Sequence, residues 1–69
     1  MITQIELIDS IYDDDIKTDI YFVGNDNKEY KFIYSMFLYL SNTYGFNKVL
    51  DILDDIEIMI NYGLCELIK

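Results

Sequence analysis

Polar and apolar positions alternate through the middle of this chain, then recur at helical spacing in its second half. From Ile16 to Val23, the residues Ile16, Thr18, Ile20 and Phe22 fall on one side and Lys17, Asp19 and Tyr21 on the other, which predicts a strand. Glu29 to Tyr34 alternates again, with Tyr30, Phe32 and Tyr34 opposite Glu29, Lys31 and Ile33. Between them GNDNK, 24–28, is a turn, because Gly and Asn tolerate positive φ. The three pieces predict a central hairpin over about 16–34.

The period then lengthens. Ser35 is the expected N-cap of a helix over about 36–44, apolar nearly all round and so largely buried, with Gly45 ending it in the left-handed conformation. A second helix is expected over about 46–62. Its apolar face runs Phe46, Val49, Leu50, Leu53, Ile56, Met59, Ile60 and on to Leu64 and Leu67; Asn47, Lys48, Asp51, Asp54, Asp55, Asn61 and Glu66 face the other way, with Ile58 out of place. A hairpin of IEIMI and LCELI about NYG is the rival, and the helix is preferred, stopped or kinked at Gly63. The segment Ile2 to Tyr12 fits two patterns. Thr3 and Glu6 make a capping box ahead of a helical face of Ile5, Ile8 and Tyr12, whereas Ile5, Leu7 and Ile11 alternate as a strand broken by Asp9. The strand is preferred because it could pair with the next one across Asp13–Asp15. The expected fold is α+β: a short antiparallel sheet of two or three strands followed by two helices packed on it, with residues 1–69 forming a single small domain.

Size sharpens the picture. A domain of 69 residues buries only about 60% of the surface its unfolded chain exposes. One cysteine, Cys65, and no histidine exclude an internal disulfide and a Cys/His zinc site. Dense apolar packing or association must then supply stability. The chain is 52% hydrophobic with seven tyrosines and four phenylalanines, which favours a homodimer or another stable complex through tyrosine-bearing surface. Twelve isoleucines and five asparagines, with AT-rich codons, point to a low-GC bacterial or phage genome.

Charge narrows the partners. A net charge of -8 repels nucleic acid and anionic membranes and attracts basic protein surfaces. The first residues lack the basic and apolar regions of a signal peptide, and the apolar run 33–40 is too short to cross a bilayer, so the expected location is the cytoplasm of a bacterial host. Asp13–Asp15 fail as a calcium loop: counted from Asp13, the sixth position is Thr18 rather than Gly and the twelfth is Gly24 rather than Glu. No histidine base, nucleophile motif or phosphate-cradling loop is present, and paired carboxylates would need a cleft that 69 residues rarely supply, so no enzyme activity, cofactor or metal is expected. Cys65 reads as a small apolar filler. Asp51, Asp54 and Asp55 at i, i+3 and i+4 would share a helix face, where their repulsion costs a few tenths of a kcal/mol per pair.

Carboxylates at alternate strand positions, roughly 6–7 Å apart, approximate the spacing of phosphates along a nucleic-acid strand. Tyrosines among them could fill pockets that receive bases. In size, charge and the outline of YFVGNDNKEYKF followed by SMFLYLSNTYG, the chain resembles small acidic phage inhibitors such as anti-CRISPR proteins and uracil-DNA glycosylase inhibitors. That resemblance implies a non-enzymatic inhibitor of a nuclease or CRISPR effector. The expected partner-binding residues, read from the charge pattern, are Asp13, Asp14, Asp15, Asp19, Tyr21, Asp26, Asp51, Asp54 and Asp55. The alternative is an antitoxin, immunity protein or small subunit that binds a protein partner, or itself, through Ile58, Tyr62 and Tyr39.

Overall fold

The computed structural model describes residues 1–68. The chain runs β1 (Ile2–Thr3), α1 (Gln4–Tyr12), β2 (Ile20–Val23), β3 (Glu29–Phe32), α2 (Tyr34–Tyr44), α3 (Phe46–Ile52), α4 (Ile56–Asn61) and β4 (Cys65–Leu67). The strands form one sheet in the order β1-β2-β3-β4, so the fold is α+β. The β2–β3 and β3–β4 pairs are antiparallel, while β1 lies parallel to β2, which makes the sheet mixed rather than antiparallel throughout.

The parallel pair follows from the first segment being mostly helix. Thr3 caps α1 with a complete capping box: its hydroxyl accepts the Glu6 N–H at 3.2 Å and the Glu6 carboxylate accepts the Thr3 N–H at 2.8 Å. The expected strand over 2–12 is thus limited to Ile2–Thr3, because capping satisfies the N–H groups that a strand would have left free. The buried face of α1 is Gln4, Leu7 and Ile11, and Ile5 is 63% exposed. A polar residue at the first position of that stripe hid its phase from a hydrophobicity reading.

The central hairpin is present, trimmed at both ends. Tyr21 pairs with Lys31 and Phe22 with Tyr30. Asn27 takes the positive φ of the turn, at 65°. Gly24 is needed for space instead: a Cβ there would lie 2.7 Å from Asp26 Oδ1 and 2.9 Å from the Tyr30 ring. Helix α2 starts at Tyr34, with Ile33 rather than Ser35 at its N-cap position.

The expected long helix over 46–62 is two short ones. Its stripe breaks at Leu53–Asp55, where the Asp55 carboxylate accepts the N–H groups of Glu57 at 3.0 Å and Ile58 at 3.3 Å and starts α4 afresh. Helix α4 ends in a Schellman motif about Gly63, at φ 76°: the Gly63 N–H reaches the Ile60 carbonyl at 3.0 Å and the Leu64 N–H that of Met59 at 2.8 Å. The chain then returns as β4 along β3, pairing Cys65 with Phe32 and Leu67 with Tyr30. LCELI is therefore partly strand, as in the rival hairpin, but its partner is β3 and not IEIMI.

All four helices meet one face of the sheet. Phe22, Tyr30, Phe32 and Cys65 from the strands join Leu7, Ile11, Phe37, Leu40, Val49, Leu53, Met59 and Leu64 in one core. The row Tyr21, Lys31, Glu66 lies on the other, open face. No helix among the described residues is long and apolar enough to cross a membrane.

Candidate functional site

The aspartate run Asp13–Asp15 is the C-terminal cap of α1. The Asp14 N–H reaches the Ile11 carbonyl at 3.1 Å and the Asp15 N–H reaches that of Ser10 at 2.8 Å, with Asp14 in the left-handed conformation at φ 61°. This is a second Schellman motif, built on aspartate where glycine is the usual residue. Two costs follow. A Cβ in the left-handed region costs about 1–2 kcal/mol. Carboxylates at a helix C-terminus also oppose the partial negative charge of the last carbonyls, and α1 has no basic residue in its last turn. Among the described residues, an exposed ion pair from Lys17 to Asp14 at 3.6 Å offsets part of this.

Asp19 has a structural task. Its carboxylate accepts the Tyr34 N–H at 2.7 Å, at the start of a helix whose own N-cap residue offers no side-chain acceptor, and it lies 3.9 Å from Lys31. It caps α2 from a distant loop and does not project from the strand beside Tyr21. Asp26 is likewise held: it accepts the Tyr30 hydroxyl at 2.5 Å and the Lys28 N–H at 3.1 Å. The Tyr30 hydrogen bond keeps the Asp26 carboxyl below its ordinary pKa, while desolvation, and then Asp26 itself, push Tyr30 up to about 12.

Asp51, Asp54 and Asp55 do not share a helix face, because α3 ends between them. Asp54 and Asp55 line an open groove of about 570 Å³ together with Asp26, Glu57 and Lys28, over Ile56, Ile60 and Leu67. Asp51 lines a separate recess of about 290 Å³ with Lys48, Ile52, Ile58 and Tyr62. Among the described residues, no three His, Cys, Asp or Glu side chains gather as a metal-holding group.

Gln4, outside the expected set, lines the groove. Fully buried, it donates to the Leu53 carbonyl at 2.8 Å and accepts the Asn25 N–H at 2.8 Å. It ties the N-terminus of α1 to the β2–β3 turn and to the α3–α4 link. Its sequence signal was its place at i−3 from Leu7 and i−7 from Ile11.

Topology separates the acidic groups. Helix α1 leads from the end of β1 back to the start of the parallel β2, so its C-terminal Asp13–Asp15 lie at the opposite end of the sheet from the β2–β3 turn that holds Asp26. The four residues of β2 alone put roughly 13 Å between these ends. The expected set is thus divided: Asp13–Asp15 and Asp19 lie at the end where β2 starts, Asp26, Asp54 and Asp55 gather at the other, and Asp51 lines its own recess. Tyr12 and Tyr21 are exposed, at 67% and 53%. Comparison with family models, curated proteins and solved structures returns no match for the chain.

Proposed function

We propose that the protein is a non-enzymatic inhibitor that binds the basic nucleic-acid-binding site of a nuclease or CRISPR effector through an acidic surface. The observation that carries this reading is the α1 cap. Glycine at position 14 and neutral residues on either side would end α1 at lower energy, yet three carboxylates stand there against the helix dipole. Solubility does not require charge at that place, since without these three of its 13 acidic residues the chain would still carry a net charge of -5. Asp13, Asp14 and Asp15, with Tyr12 exposed beside them, form the primary contact. Asp54 and Glu57 in the groove supply a second, weaker one, and Asp19, Asp26 and Asp55 serve chiefly to hold the fold.

The test measures inhibition of purified bacterial nucleases and CRISPR effectors, and complex formation with any that respond, at about 50 and 500 mM salt. Binding should fall steeply with salt, and competing DNA or RNA should displace the protein. A complex indifferent to both would rule out the acidic reading.

A further inference from the structure

A different face carries a second inference. Tyr44 of α2 and Tyr62 at the end of α4 meet edge to face, with ring centroids 6.2 Å apart, and both rings stay open to solvent at 53% and 39% exposure. Tyr62 also lines the recess with Ile58, itself 40% exposed. Exposed tyrosine beside isoleucine is the composition of interface centres. Lys48 and Asp51 stand on the rim of this recess, three residues apart on α3, and are not paired with each other. Their charges cancel, so the recess is locally neutral on a molecule of net charge -8.

We infer that this face is a two-fold interface with a second copy of the same chain, in which Lys48 of each protomer meets Asp51 of the other around a centre of Tyr44, Ile58 and Tyr62. Two copies that each carry a net charge of -8 repel one another overall, and a locally neutral apolar face lowers that repulsion where they approach. A two-fold axis places each residue of the patch opposite its counterpart in both directions. One cation and one anion on a single helix therefore satisfy each other across the axis without any further molecule. An interface of ordinary size, about 800 Å² per partner, would take roughly a fifth of the 4435 Å² surface. Asp13–Asp15 line no part of the recess, so the proposed acidic contact does not depend on this interface.

The test is sedimentation equilibrium of the full chain at concentrations up to about 100 μM, with Lys48→Glu and Asp51→Lys as variants. The wild-type protein should sediment at twice its 8.2 kDa chain mass. Each single variant should weaken the dimer by about tenfold or more, because each sets two like-charge pairs face to face. An equimolar mixture of the two variants should dimerise again, since Lys48 then meets the native Asp51 and the new Lys at 51 meets the new Glu at 48. Circular dichroism confirms that both variants fold. A wild-type monomer throughout the range, a dimer indifferent to both substitutions, or a mixture that stays monomeric would each overturn the two-fold arrangement.

Discussion

At the residue scale, the aspartates that looked alike along the chain do different work. Asp26 pairs with Tyr30, and the sign of the resulting pH dependence follows from the two shifts. A carboxyl held below its ordinary pKa stabilises the fold at neutral pH, and that contribution is lost as pH falls through the lowered value. Glu6 behaves in the same way, chiefly through the Thr3 N–H it accepts. Tyr30, raised to about 12, and Cys65, raised by burial to about 11, keep the fold stable up to their unfolded values near 10 and 9. Stability is then lost as pH climbs through the folded ones. Tyr30→Phe should remove the acid-side contribution of Asp26 and cost about 1 kcal/mol at neutral pH, measured by urea unfolding across a pH series. Gly24→Ala should cost about 1–3 kcal/mol by the same measurement, because its methyl would press on both partners of that bond.

At the element scale, three helix ends depend on aspartate and only two of them gain from it. Asp19 and Asp55 lie at N-termini, where the dipole and free N–H groups welcome a carboxylate. Asp19→Ala and Asp55→Ala should each destabilise the fold by about 1 kcal/mol. Asp54→Asn, at a position with no such bond, should leave thermal unfolding nearly unchanged. At the C-terminus of α1 the sign reverses. Asp14→Gly should stabilise the protein by about 1 kcal/mol, read by thermal or urea unfolding, because it relieves both the left-handed strain and the dipole clash.

At the scale of the whole molecule, stability and binding should move in opposite directions. The triple substitution Asp13→Asn, Asp14→Asn and Asp15→Asn should raise the unfolding temperature while weakening inhibition and binding of the target. If binding to the target is unchanged in that variant, the run serves only solubility. Neutralising Asp54 and Glu57 should have a smaller effect, since those groups lie at the far end of the sheet. The topology thereby makes the two acidic ends separable by mutation, which a single continuous strip would not have allowed.

The sequence by itself determined what rests on local chemistry. The hairpin was legible because alternation and the GNDNK turn agree, and the stop at Gly63 because glycine relieves the strain of positive φ. The capping box of α1 was legible too, although a short apolar run fits helix and strand alike. Only the tertiary structure decided the rest, for one physical reason: those choices are made by partners distant in sequence. Gln4 is buried because Leu53 and Asn25 take both its hydrogen bonds, and Asp19 is a cap because Tyr34 folds back onto it. Cys65–Leu67 is a strand because the edge of β3 is free to pair. Asp13–Asp15 lie away from Asp54 and Asp55 because a helix, not a hairpin, carries the chain from β1 to β2. Charge could be counted along the sequence, but its arrangement in space came from the parallel pairing of a two-residue strand.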